Sequence, residues 1–143
     1  MILVDTNVLV AAGNTAETDH RQARELLETA EGDLLVAPMV VAEVCHLVGT
    51  RDRGGAAAEA AFLRTIAAGH LQLTAMTAAD VGRMAELVAQ YADLGLGGTD
   101  ASLVAIADRL GVERIATFDR RHFTVVRSAT GAAFTLLRSE GGA

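Results

Sequence analysis

The amino-acid sequence predicts an α/β fold built on a mostly parallel sheet. Short apolar runs of strand length recur along the chain, longer stretches of helical periodicity separate them, and those stretches carry start and stop residues of their own. With 143 residues the chain is expected to form a single domain over 1–143. A domain of that size buries roughly two thirds of its unfolded surface without disulfide or metal staples. Any metal it binds would serve function rather than folding.

The first strand is expected at Ile2–Val4, an apolar run closed by Asp5. Thr6 or Asn7 is a natural cap for a short helix carrying Val8, Leu9 and Val10. A helix over Asp19–Ala30 turns Leu26 and Leu27 inward and Arg21, Arg24, Glu25 and Glu28 outward. After a strand at Leu34–Ala37, Pro38 marks the start of a helix covering Val40–Val48. The stretch Ala56–Ala67 follows Gly54-Gly55 and is mostly alanine, with Phe62, Leu63 and Ile66 as its larger apolar groups; its small side chains permit close packing. A strand at Leu71–Thr74 precedes Thr77, which caps a helix over Ala78–Ala92 with Asp80 supporting the cap. Gly95-Leu96-Gly97-Gly98 is loop-like, Thr99 is expected to cap Asp100–Leu110, and Gly111 ends that helix. Strands at Arg114–Thr117 and Ala133–Leu136 complete the sheet, and the tail from Ser139 is loop-like.

Composition narrows the function. Hydrophobic residues make up 51% of the chain and mean hydropathy is +0.32, high for a soluble protein, so the surplus is expected to cover a partner surface. No run approaches the roughly 18 uninterrupted apolar residues of a membrane helix, and no membrane association is expected. Asp5 and Asn7 interrupt the N-terminal apolar stretch and no basic residue precedes it, so no signal peptide is expected. Cys45 stands alone, which permits no internal disulfide and suits a cytoplasmic location. A net charge of −6 argues against general nucleic-acid binding, unless several acids hold divalent cations and invert the local field. All twelve cationic side chains are arginine, which favours planar contacts to phosphate, although a GC-rich genome produces the same usage.

Four acids stand where apolar residues are expected. Asp5 and Asp119 close strand-like runs, while Glu43 and Asp100 interrupt apolar helical stretches, and no lysine exists to neutralise them. A buried carboxylate without a partner is costly. In open α/β sheets, sites form beyond the carboxyl ends of strands where the strand order reverses. If the first strand is central and pairs with the one ending near Thr117, Asp5 and Asp119 become neighbours across roughly 5 Å. Glu43 and Asp100, in the first turns of their helices, would meet them at that rim. Two charges at that separation repel by roughly 3 kcal/mol at an effective dielectric near 20, or about two pKa units. A cation relieves this. Oxygen donors favour magnesium or manganese over zinc, because no histidine or cysteine pair has zinc-like spacing. Such a cluster activates water and steadies a phosphoryl group during in-line attack, the chemistry of phosphodiester hydrolysis.

Around these acids, Thr6, Asn7 and Thr117 are candidates for orienting the carboxylates. Arg120, Arg121 and His122 form the densest cationic stretch and are candidate phosphate contacts, with a solvated turn as the alternative. Arg51 and Arg53 form a second candidate patch. Cys45, His20, His46 and His70 are expected to pack or face solvent. One tyrosine and four phenylalanines make no stacking platform for single-stranded bases.

Asp5-Thr6-Asn7 after an N-terminal strand, Glu43 in an apolar helix, Tyr91-Ala92-Asp93 leading into Thr99-Asp100-Ala101-Ser102-Leu103-Val104-Ala105, and Thr117-Phe118-Asp119-Arg120-Arg121-His122-Phe123 occur in one order. Together they resemble the PIN-domain ribonucleases, and more narrowly the VapC-type toxins of bacterial toxin–antitoxin pairs. The resemblance spans nearly the whole chain and implies one PIN domain folded as a three-layer α/β/α sandwich. It further implies a Mg2+- or Mn2+-dependent endoribonuclease whose catalytic, metal-holding acids are Asp5, Glu43, Asp100 and Asp119. Asp93 falls at an acidic position common in that family. The implied partners are an RNA substrate, a second copy of the chain in a homodimer, and a cognate VapB-like antitoxin whose tail covers the acidic groove. Haloacid-dehalogenase-like phosphatases and response-regulator receivers are poor matches: the former need an acid where Asn7 stands, and both need a downstream lysine. The remaining rival is a catalytically inactive PIN-like binding module, which predicts no metal dependence.

Overall fold

The structure is a computed structural model that describes residues 1–50 and 53–137; Arg51 and the tail from Ser139 lie outside the described residues. Strand β1 (Ile2–Val4) is buried on both faces, as expected of a central strand in a parallel sheet. Helix α1 (Thr6–Gly13) follows at once. Its cap is neither Thr6 nor Asn7 but Asp5, whose carboxylate accepts the Thr6 N–H and leaves Thr6 as the first helical residue. Helix α2 (His20–Thr29) buries Ala23 and Leu26, and β2 spans Leu34–Val36. Pro38 opens α3 (Pro38–Val48), which presents Val40, Val44 and Val48 to the core at helical spacing.

Helix α4 (Gly55–Ala67) rests half-buried Ala58, Phe62 and Ile66 on the core and buries no residue fully. After β3 (Gln72–Leu73), α5 (Ala78–Gln90) begins with the expected capping box between Thr77 and Asp80. A 3-10 turn over Ala92–Leu94 leads to α6 (Gly98–Leu110), which buries every residue from Ala101 to Ala107 and ends at Gly111 with φ 70°. Gly97, not Thr99, caps α6; Thr99 is already helical, and its hydroxyl is used elsewhere. Strand β4 (Arg114–Ala116), the short α7 (Arg120–Phe123) and β5 (Thr135–Leu137) complete the described chain. Strand β5 starts later than expected because Ala133 forms an isolated antiparallel bridge with Arg127.

The five strands are all parallel, in the order β3-β2-β1-β4-β5. From β1 the chain steps outward to β2 and β3, then returns across the sheet to β4 on the other side of β1. Right-handed crossovers therefore lay α1–α4 on one face and α5 and α6 on the other, giving three layers. The strand order reverses between β1 and β4, so their carboxyl ends open the crevice where open α/β sheets place their sites. No described helix is long and apolar enough to cross a membrane.

Candidate metal centre

Asp5 leaves the end of β1 with its N–H bonded to the Ala116 carbonyl of β4 (2.9 Å), and its side chain is only 4% exposed. One carboxylate oxygen accepts the Thr6 N–H (2.8 Å); the other accepts the Thr117 hydroxyl (2.8 Å) and the Asn7 amide (3.3 Å). The register pairs Val4 with Ala116, so the residue facing Asp5 across the strands is Thr117. Asp119, expected in that place, lies two residues further on and is turned back to the rim as the cap of α7. The Thr117 hydroxyl links the two acids by donating to Asp5 while accepting the Asp119 N–H (2.9 Å). Asn7 ties the same strand ends together: its carbonyl oxygen accepts the Phe118 N–H (3.1 Å) while its amide serves Asp5 and Thr117.

The other two acids arrive from the helical layers. Asp100 is the third residue of α6, in its first turn as expected. Glu43 lies in the second turn of α3 rather than the first, one turn back from the rim, and its Oε2 accepts the Thr99 hydroxyl (2.9 Å). All four carboxylates line one open groove of about 640 Å³, together with Thr6, Asn7 and Thr99. Asp93 is not among them: it is exposed on the 3-10 turn.

The cationic candidates separate. His122 turns toward the acids, with Nδ1 2.7 Å from Asp119 Oδ2 and 3.4 Å from Asp100 Oδ2. Its Nε2 lies 3.3 Å from the Leu94 carbonyl oxygen. Its neighbours Arg120 and Arg121 do not line the groove, whereas Arg53 does, paired with Glu17 at 3.3 Å. The ring's place was open to inference from sequence, since His122 follows Asp119 by three residues and that spacing brings helical side chains together. Thr99 as partner to Glu43 carried no such signal, because 56 residues separate the two.

Burial and crowding act on Asp5 and Asp100 as the sequence anticipates. Burial pushes the Asp5 carboxyl up, against the hydrogen bonds from Thr117 and Thr6, and the charges of Asp119 and Glu43 add to the rise. Burial likewise raises Asp100, helped by Asp5, opposed by His122 and helped again by Asp119 and Glu43, to about 6. A divalent cation fits this donor set. Oxygens of Asp100 and Asp119 and a nitrogen of His122 lie within 4.8 Å of one another, and Asp5 and Glu43 share the groove.

A parallel sheet that reverses order beside β1, with carboxylates gathered at that crevice, agrees with family comparison: the PIN domain profile matches residues 2–128, and the chain belongs to the PIN domain family. Its relatives include Ribonuclease VapC26 of Mycobacterium tuberculosis, 39% identical over 136 residues that cover 95% of this chain and 99% of that protein. Among solved structures, VapC20 of Mycobacterium tuberculosis, described as a toxin cleaving the sarcin-ricin loop, superposes with a TM-score of 0.78 at 22% identity, covering 84% of this chain and 91% of that one. A toxin–antitoxin complex from Klebsiella pneumoniae gives 0.68 at 18% identity, covering 88% and 92%. At those identities the two structures establish the shared fold.

Proposed function

We propose that this protein is a metal-dependent endoribonuclease that hydrolyses RNA phosphodiester bonds and acts as the toxin of a toxin–antitoxin pair. The observation that carries the reading is the convergence of Asp5, Glu43, Asp100 and Asp119 from four separate elements on one groove. The relative whose length the chain matches almost end to end is named a ribonuclease, which supports the same chemistry.

In this reading the four acids hold Mg2+ or Mn2+, which, when bound, supplies charge stabilisation to the reacting phosphate and activates water. The protein's own groups prepare that place. Thr117 and Asn7 hold Asp5 in one rotamer, Thr99 holds Glu43, and the Thr117 hydroxyl couples the position of Asp5 to the backbone of Asp119. Such positioning matters because misplacing reacting groups by about 1 Å can cost two orders of magnitude in rate. The open groove admits a polynucleotide backbone to the acids. With a net charge of −6, attraction of RNA phosphates depends on cations held there.

Residues 1–143 are read as one PIN domain working in the cytoplasm. Its partners in this reading are RNA, a second copy of the chain and a VapB-like antitoxin that covers the groove. The toxin–antitoxin complex among the structural neighbours supports the last of these. The test is incubation of purified, antitoxin-free protein with structured RNA and Mg2+ or Mn2+. Wild type should cleave, and Asp5→Asn should lose at least about a hundredfold in rate. Intact RNA with wild type, or equal cleavage by Asp5→Asn, refutes the reading.

A further inference from the structure

We propose that His122 is itself a ligand of the cation, supplying one nitrogen beside the oxygens of Asp100 and Asp119, and that this biases the centre from magnesium towards manganese and later transition ions. The inference rests on the metal-dependent reading above and deepens it.

Three observations lead to it. First, the spacing suits shared coordination. In an octahedral site with bonds of about 2.1 Å, adjacent donor atoms stand about 3 Å apart. The separations from His122 Nδ1, 2.7 Å to Asp119 Oδ2 and 3.4 Å to Asp100 Oδ2, bracket that edge length. Second, the ring's far side is committed. Nε2 faces the Leu94 carbonyl oxygen at 3.3 Å, an acceptor that is satisfied when Nε2 carries the hydrogen. In a neutral ring of that tautomer the lone pair lies on Nδ1, beside the two carboxylates, where a bound cation would take the place of the hydrogen that the 2.7 Å contact with Asp119 Oδ2 otherwise requires; backbone carbonyls orient metal-binding histidines in this way. Third, the ring is anchored. The His122 N–H donates to Asp119 Oδ1 (3.2 Å), and the next residue, Phe123, is fully buried and pins α7 to the core.

A nitrogen donor changes which ion the centre prefers. Magnesium takes oxygen ligands and keeps its waters, while imidazole suits transition ions, so a mixed set discriminates between them. The competing arrangement is a protonated ring that donates Nδ1–H to the carboxylates and never touches the metal.

The two are separated by pulsed electron paramagnetic resonance of untagged protein loaded with Mn2+. A directly bound imidazole gives a 14N coupling to manganese. The wild type should show it, and His122→Gln should lose it, with Mn2+ affinity falling about tenfold and Mg2+ affinity changing less than twofold. Bound manganese without a 14N coupling in the wild type overturns the proposal while leaving the metal-dependent reading intact. So does a coupling that persists in His122→Gln. Failure of the wild type to bind Mn2+ at all overturns both. Should His122→Gln fold poorly, the wild-type spectrum alone decides.

Discussion

Asp100 shows how one side chain can report on the whole cluster. Burial and the charges of Asp5, Asp119 and Glu43 outweigh His122 and raise it to about 6, against an ordinary 3.8. Between those values the folded protein binds the proton that the unfolded chain releases, so this group favours folding at low pH, and its contribution is lost as pH rises through about 6. At about 1.4 kcal/mol per unit the effect is worth at most about 3 kcal/mol, trimmed because the side chain is 20% exposed. Asp5 is shifted the same way and adds to it. Metal-free protein should therefore melt at a higher temperature at pH 5 than at pH 7.5, and Asp100→Asn should flatten much of that difference. A melting temperature that climbs with pH across this window in the metal-free wild type would contradict the crowding argument.

The opposite sign appears at the start of α5. Burial would raise Asp80, but hydrogen bonds from Thr77 and Arg109 prevail and hold its carboxyl below the usual value. Its stabilisation is therefore present above the ordinary carboxylate pKa and fails only at more acid pH, outside the window in which Asp100 titrates. The geometry explains the strength: Asp80 accepts the Thr77 N–H at 2.9 Å and the Arg109 Nε at 3.0 Å, while Arg109 Nη2 donates to the Ala75 carbonyl at 2.8 Å. One carboxylate thus caps α5 and fastens it to α6. Losing a cap costs about 1 kcal/mol, and the pair adds to that, discounted because Arg109 is a third exposed. Asp80→Ala should lower unfolding stability by about 1–2 kcal/mol in urea titrations; a loss below about 0.5 kcal/mol would mean that the two helices are fastened otherwise.

That capping box was legible in the sequence because both halves lie within four residues, and the buried strands were legible because parallel strands are apolar on both faces. The cap of α1 was not: Asp5, Thr6 and Asn7 are all good caps in a row, and only the paired strand decides which carboxylate or hydroxyl faces the amide. The four acids were legible as exceptions to apolar pattern. Thr117 and Asn7 were legible as their partners because each stands within two residues of one of the acids, whereas Thr99 was not, since the Glu43 it serves lies 56 positions away. The turn around Asp93 enters the centre through the Leu94 backbone carbonyl rather than through its acid, a role no side-chain pattern announces.

The molecule as a whole separates the tasks of folding and binding. Its core runs through β1, β2, β4 and the buried length of α6, with Phe123 and Val126 closing it, and none of these side chains depends on the acidic groove for partners. Chelation should therefore leave a cooperatively folded protein. Binding of a cation to the folded state alone adds stability by mass action, about 2.7 kcal/mol at a hundred times its Kd. For a chain of this length, 1 kcal/mol moves the melting temperature by about 3–4 °C. Calorimetry of chelator-treated protein should thus show one sharp transition, raised by about 8–11 °C when Mn2+ is added at that excess, with the rise abolished in Asp100→Asn. Loss of the transition on chelation would make the metal a structural one and remove the division between core and crevice. A transition that stays put with manganese would leave the crowded carboxylates without the cation that accounts for them.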